Sequence, residues 1–196
     1  TSISMKTKAL LPMGLGLTIL FCSLPARAAQ DVWYSVTAGA RMHADHSIFQ
    51  ELPYGEDDIS YHLGIEANDR QDGYCQIGLY YTPDPSGSSH AVAEGAEVTD
   101  LPTVDTTDYV LTPHLDIIYQ DGIFIGGIGI LKSYIRDELE GGDWSGLYWE
   151  FTLGLSIPVS SLTFAAQAYY VFEDWSDADE IDTDDLDYGI SLSYAF

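Results

Sequence analysis

Apolar and polar residues alternate strictly over residues 187–196. Tyr188, Ile190 and Leu192 occupy every second position, and small or polar residues fill the positions between them. A period of two is the spacing of a β-strand that has one apolar face and one polar face. Seven further segments between residues 32 and 173 show the same period, and no helical period of useful length is present. The sequence therefore predicts an all-β fold of eight strands.

The eight predicted strands differ sharply between their two faces. They cover residues 32–43, 59–68, 74–82, 109–120, 123–136, 147–157, 162–173 and 186–196. Among the apolar-face positions, which in the fifth strand end at Tyr134, Lys132 is the only charged residue, whereas the other face carries Arg41, His43, His62, Glu66, Gln76, His114, Asp116, Glu150, Gln167 and Glu173. A face that excludes charge contacts either lipid or a protein core, and the alternation alone leaves both open.

Two positions fit this pattern poorly. Pro113 lies in the middle of the fourth strand, where it removes a backbone donor, so a bulge is expected there. A bulge near Leu131 in the glycine-rich fifth strand would turn Lys132 inward.

Short and long connections alternate along the chain. The short ones are 68–73, 120–122 and 158–161, and the long acidic ones are 44–58, 83–108, 137–146 and 174–185. Transmembrane barrels have this asymmetry, with tight periplasmic turns and longer outer loops. Aromatic residues also gather at the strand ends, as in interfacial girdles. The predicted fold class is therefore an all-β, eight-stranded antiparallel up-and-down transmembrane β-barrel.

Residues 1–28 have the features of a secretory signal peptide. Lys6 and Lys8 precede an apolar run over 9–22, and Ala26-Arg27-Ala28 supplies a cleavage site. The run is too short for a spanning helix. Met5 is the expected start, with 1–4 as an upstream extension. We predict a signal peptide with this extension over 1–28 and a barrel domain over 29–196.

The predicted barrel domain is strongly acidic. It contains all 31 acidic residues and four basic ones, which gives a formal net charge of −27. The basic residues are Arg41, Arg70, Lys132 and Arg136. This balance argues against nucleic acid as a partner, because phosphate contacts need Lys and Arg. Cys75 is the one cysteine of the domain, so no internal disulfide is expected.

The last segment resembles the C-terminal strand of bacterial outer-membrane β-barrels, since it finishes on Phe196 with Tyr194 two residues earlier. In architecture, 29–196 resembles the small single-domain barrels such as the OmpA membrane domain and the OmpX and OmpW types. The resemblance implies residence in the outer membrane as a monomer, in contact with lipid and lipopolysaccharide. It also implies recognition of Phe196 by the outer-membrane assembly machinery. No residue-level function carries over from it.

An eight-stranded barrel has an interior filled by side chains. The predicted interior polar network consists of Arg41, His62, Glu66, His114, Asp116 and Glu150. One interpretation is a proton-linked or metal site built on histidines and carboxylates. The other is a structural network in which each buried charge has a partner. The histidines lie one per strand and at differing heights, which favours the structural network.

The long acidic connection 174–185 is dense in carboxylates. Asp177, Asp179, Asp182 and Asp184 are candidate ligands for weakly bound Ca²⁺ or Mg²⁺, which prefer oxygen ligands. The spacing is not that of an EF-hand. The alternative is a solvated loop whose charges repel one another. No other cofactor is predicted.

Enzymatic chemistry has few candidate residues. Acyl chemistry on lipid A would need Ser, His and a carboxylate close together near the outer leaflet, and the only candidates are His43, His46, Ser47 and the acidic residues of the first long link. We therefore predict a non-enzymatic outer-membrane β-barrel with a structural or surface-interaction role through acidic extracellular loops. A lipid A-modifying enzyme and a narrow channel for small solutes are the two alternatives.

Overall fold

The computed structural model describes residues 32–44, 52–69, 73–86, 107–137, 141–175 and 183–196. Its strands are β1 Val32–Met42, β2 Ile59–Asp69, β3 Gly73–Pro83, β4 Thr107–Asp121, β5 Phe124–Leu131, β6 Tyr134–Asp137, β7 Gly141–Trp144, β8 Tyr148–Val159, β9 Leu162–Phe172 and β10 Asp187–Ala195. A 3₁₀ turn covers Thr183–Asp185. Within the described ranges, no helix is long and apolar enough to cross a membrane.

The strands form one closed antiparallel barrel. Its order is β3-β2-β1-β10-β9-β8-β5-β4, and β4 pairs back with β3 to close the circle. At the seam between β1 and β10, Ser35 lies opposite Ala195 and Arg41 opposite Gly189. The fifth predicted strand is divided into β5 and β6, and the sixth corresponds to β8. The predicted eight-stranded antiparallel barrel is confirmed.

The polarity of the barrel is the reverse of that of a soluble protein. Outward-facing Leu63, Leu153 and Ile190 are 63%, 69% and 68% exposed, whereas inward-facing His62 and Thr152 are buried. A continuous exposed apolar band is stable in contact with lipid, and a closed barrel leaves no unpaired strand edge in that lipid. The barrel is therefore of the transmembrane type.

The expected bulge at Pro113 is absent, so this prediction was wrong. β4 is continuous, and Pro113 lies in regular register opposite Leu79 of β3. The interruption falls instead on the other neighbour, between Leu131 and Tyr134. There the Lys132 N–H donates to the Pro113 carbonyl at 3.2 Å, and Pro113 has no N–H to donate in return. Leu131 and Ser133 are both buried, so Lys132 between them keeps the outward side.

Part of the predicted outer link 137–146 is a β-hairpin. β6 pairs with β7, and Tyr134 lies opposite Trp144 with the two ring centroids 5.3 Å apart. This hairpin extends the barrel wall, because β6 also pairs with the N-terminal end of β4, from Thr107 to Leu111.

Candidate functional site

Arg41 connects three strands inside the barrel. Its Nη1 lies 2.5 Å from Oε2 of Glu150 on β8, and its Nε lies 2.8 Å from Oδ2 of Asp187 on β10. The guanidinium carbon lies 4.3 Å from the ring centroid of Tyr169 and 5.4 Å from that of Tyr80. The three charged side chains are 3% exposed or less, so solvent screens these ion pairs little.

Asp187 extends the network to two more strands. Its Oδ1 accepts a hydrogen bond from the Ala44 backbone N–H at 2.7 Å, and its Oδ2 lies 2.8 Å from Nδ1 of His43. Nε2 of His43 lies 2.5 Å from Oγ of Ser60, which lies 2.5 Å from Oγ1 of Thr82. Carboxylate, imidazole and hydroxyl thus follow the order of a Ser-His-Asp triad. The Ser60 side chain is completely buried, so an ester carbonyl has no access to it in this conformation.

The described end of the first outer link, residues 52–58, covers this network. Leu52 and Tyr54 are buried in an apolar cluster with Val110, Leu131, Tyr148 and Val171. The Tyr54 ring stacks on the His43 ring at 4.0 Å, and its hydroxyl lies 2.8 Å from Oγ1 of Thr112. Burial raises the pKa of Tyr54, which keeps the phenol neutral. The cavity left beside Arg41 has a volume of about 10 Å³, room for about one water molecule.

His62 and His114 form a second group inside the barrel. Their Nε2 atoms lie 3.0 Å apart, although β3 separates their strands. Nδ1 of His114 lies 2.6 Å from Oδ2 of Asp116, and the Gln76 amide nitrogen lies 3.3 Å from Nε2 of His62. Gly78 of β3 lies between the two rings, and a Cβ atom there would clash with both. The absence of a side chain at Gly78 lets these two rings meet, whereas the third interior histidine, His43, belongs to the Arg41 group.

The geometry of this pair fits proton sharing. A separation of 3.0 Å between two ring nitrogens is a hydrogen bond in which one imidazole donates and the other accepts. Among the residues that the structure describes, no group of three or more His, Cys, Asp or Glu could hold a metal ion.

The six residues predicted for the interior network all lie inside the barrel and are buried: Arg41, His62, Glu66, His114, Asp116 and Glu150. Glu66 belongs to neither group above and accepts a hydrogen bond from Oγ of Ser193 at 2.7 Å. Beside it, a polar cavity of about 390 Å³ is bordered by residues of the tight turns, including Gly122 and Ser160. A functional role for the six residues stays a prediction.

Three residues in contact with Arg41 were not predicted from the sequence. Asp187, Tyr80 and Tyr169 are buried beside Arg41. Each occupies an inward position of its strand, so the alternation itself was the signal that could have found them. Of the predicted loop ligands, Asp184 lies exposed in the 3₁₀ turn. The other three, Asp177, Asp179 and Asp182, lie outside the described residues, and the loop site stays a prediction.

No family model and no curated protein matches the sequence. Three solved structures are similar in fold at low identity. Neisserial surface protein A is 14% identical with a TM-score of 0.45, covering 84% of this chain and 97% of its own. A major outer membrane protein from Thermus thermophilus is 14% identical with a TM-score of 0.43, covering 84% and 99%. Ail, the attachment invasion locus protein of Yersinia pestis, is 12% identical with a TM-score of 0.36, covering 85% and 98%. At these TM-scores, the architecture of this chain rests on its own strand pairing.

Proposed function

We propose that this chain is a non-enzymatic outer-membrane β-barrel that presents its acidic outer links at the cell surface, in a structural or surface-interaction role. The observation that carries the proposal is the exposed apolar band around a closed barrel with a polar interior. A bilayer satisfies such a band, and outer-membrane barrels have this alternation of lipid-facing and interior residues.

Residence in the outer membrane has a direct test. The protein should fractionate with outer membranes and migrate faster on gels when unboiled than when boiled, because a closed barrel resists the detergent. A protease added to intact cells should cut within 83–108 and leave the turn at Asp121-Gly122 intact. Recovery in the soluble periplasmic fraction, or cutting at the tight turns, would contradict the proposal.

Burial of the serine supports the absence of catalysis. The Ser60 side chain is inaccessible and also shares a hydrogen bond with the Thr82 hydroxyl. The Tyr54 ring stacks on the ring of His43. A fluorophosphonate probe should therefore leave Ser60 unlabelled in the folded protein. Lipid A from cells with and without the protein should have the same mass. Labelling that disappears in a His43→Gln variant would favour the alternative, a lipid A-modifying enzyme.

The filled barrel mouth argues against the other alternative, a narrow channel. Arg41 and the segment 52–58 leave only about 10 Å³ between them. In planar bilayers the wild-type protein should show no conductance steps, and a variant in which Leu52 and Tyr54 are both changed to Ala is the matched comparison. Steady conductance of the wild-type protein would favour a channel.

We also propose that the assembly machinery recognises Phe196. The ring is 74% exposed, and the Phe196 N–H donates to the Tyr34 carbonyl at 3.2 Å. A Phe196→Ser variant keeps the backbone N–H and loses only the ring. We expect it to lower the fraction of heat-modifiable protein in cells at equal synthesis, and an unchanged fraction would contradict this role.

The acidic links are proposed to bind Ca²⁺ or Mg²⁺ weakly. Without a preformed cage, affinity on the order of millimolar is expected. The test is thermal unfolding of refolded protein with increasing Ca²⁺, beside a variant in which four aspartates become Asn: Asp177, Asp179, Asp182 and Asp184. Saturable stabilisation lost in the variant would support a site. No change in either protein at several millimolar Ca²⁺ would leave the loop without this role.

A further inference from the structure

We propose that Lys132 and Arg136 form a binding site for the phosphate groups of an anionic glycolipid of the outer leaflet, of which lipopolysaccharide is the example tested below. The proposal rests on the outer-membrane function proposed above and adds a specific site on the outside of the barrel wall.

Basic residues are scarce on this protein, and two of them lie on one face of the barrel wall, Lys132 in the interruption between β5 and β6 and Arg136 in β6. Of the four beyond residue 28, Arg41 is enclosed in the barrel and Arg70 lies outside the described residues. Lys132 is flanked by the buried Leu131 and Ser133, so it faces outward, and Arg136 lies four residues further along and is exposed. The pairing with β4 keeps one register across the interruption, from His114 opposite Leu131 to Leu111 opposite Tyr134, so residues an even number apart still share a face.

Neither side chain has an acidic partner among the described residues. The ion pairs found there all belong to Arg41, His43 and His114. The chain contains 31 acidic residues, so carboxylates that could pair with these cations are abundant in the sequence. Across the hairpin, Asp143 lies opposite Ile135, and its carboxylate accepts a hydrogen bond from the Trp144 N–H. Within the described ranges, the two cations therefore carry no ion pair and are available for an external anion.

Lys132 and Arg136 lie near the height at which the acyl chains of the membrane meet the lipid headgroups. Lys132 lies eight residues beyond Phe124, at the periplasmic end of β5, which is about 26 Å along a strand. A tilt of about 40° converts this to about 20 Å of height, against an apolar band about 25 Å tall. Arg136 lies about 10 Å higher by the same spacing. Lys132 thus lies just below the upper boundary, which its flexible side chain can reach, and Arg136 lies above it.

Aromatic rings surround the two cations at this boundary. Tyr134 lies between them on the same face and packs against Trp144 of β7. Tyr109 of β4 lies opposite Arg136. Tyr and Trp are typical of the membrane interface, and their O–H and N–H groups donate hydrogen bonds there. The site therefore combines two cations with several neutral donors, which suits phosphate.

Charge complementarity indicates which ligand binds at Lys132 and Arg136. The outer links are acidic and repel an anionic headgroup. In the described part of the outward surface, Lys132 and Arg136 are the cations that attract one. A lipid phosphate approaches this wall laterally within the membrane, at the height of the two side chains. The geometry therefore favours a lipid headgroup over free phosphate.

The test uses the refolded chain 29–196 in detergent, with a heat-modifiable gel band as the proof of a closed barrel. The probes are lipopolysaccharide and the same lipopolysaccharide after removal of its lipid A phosphates. EDTA is present throughout, so that divalent bridges to acidic loops do not contribute. The test variant is Lys132→Gln/Arg136→Gln. The matched control is Ser160→Asp/Ser161→Asp, which changes the net charge equally at the periplasmic turn.

We expect wild type and control to bind intact lipopolysaccharide equally. Each cation near an anionic lipid surface changes affinity roughly fivefold, so the test variant should bind roughly thirtyfold more weakly. Wild type should bind the dephosphorylated probe about as weakly as the variant binds the intact one. Inorganic phosphate at matched ionic strength should not displace the lipid.

Three results would overturn the site while the barrel remains: equal binding by the test variant, equal binding of the dephosphorylated probe, or displacement by inorganic phosphate. If the wild-type protein forms no heat-modifiable band, the proposed function fails first, and the site fails with it. The gel band therefore separates the two failures.

Discussion

Replacing Arg41 by Met removes the cation that two buried carboxylates share. Met keeps much of the apolar volume, so the main loss is charge and hydrogen bonding. Asp187 retains His43 and the Ala44 N–H. Glu150 loses its ion pair to Arg41, and its other oxygen, Oε1, is already buried without a hydrogen-bond partner among the described residues. Glu150 is therefore the group that the substitution harms most.

The expected cost is large compared with the stability of a typical domain. Removing one partner of a buried ion pair costs about 3–5 kcal/mol, whereas total unfolding free energies are about 5–15 kcal/mol. Adding Glu150→Gln removes the uncompensated charge. Since replacing both partners of a buried pair is often close to neutral, we expect the double variant to recover about half or more of the loss.

The measurement is urea unfolding of refolded protein in lipid vesicles, followed by tryptophan fluorescence and by the heat-modifiable gel band. Lys132→Met removes the same charge from the exposed face and should change the unfolding free energy by less than about 1 kcal/mol. The reasoning is refuted if Arg41→Met also stays within about 1 kcal/mol of wild type, or if Glu150→Gln gives no recovery.

Two further predictions concern single residues. Burial raises the pKa of Tyr54, so its neutral phenol stabilises the fold below the ordinary pKa of 10.0, and this contribution is lost as the pH rises through the folded pKa. The stability of wild type minus that of Tyr54→Phe should therefore fall above pH 10, and a constant difference would contradict it. Gly129→Ala should cost about 1–3 kcal/mol of unfolding free energy, because its Cβ would overlap the Asp116 carboxylate. Gly126→Ala on the outward face should cost less, and equal costs would count against this account.

Strand positions were predictable from the sequence because one variable, the environment of each face, sets the alternation. The second strand was predicted at 59–68 and observed at Ile59–Asp69. At Pro113 the same reasoning failed, because the missing donor disturbs a neighbouring strand and β4 itself stays regular. A residue's strand propensity describes one strand at a time, whereas the hydrogen bonds of a ladder join two neighbouring strands.

The partners inside the barrel were much less predictable. Arg41 and Asp187 are separated by 146 positions, and their contact depends on the register of a pairing that no local pattern encodes. Leu52 and Tyr54 lie in the acidic link 44–58, which was predicted as one of the longer outer loops, and their side chains fill the barrel mouth. Their apolar character within that link was the one available signal.

The seam between β1 and β10 has a consequence for the order of folding. Ser35 pairs with Ala195, so this ladder joins segments that are separated by almost the whole barrel. Pairings of high sequence separation form slowly, because the entropy of closing the loop opposes them before any contact compensates it. Until they meet, β1 and β10 each present an unpaired edge that can join another chain. Folding without aggregation therefore requires that both edges stay shielded until the two strands pair.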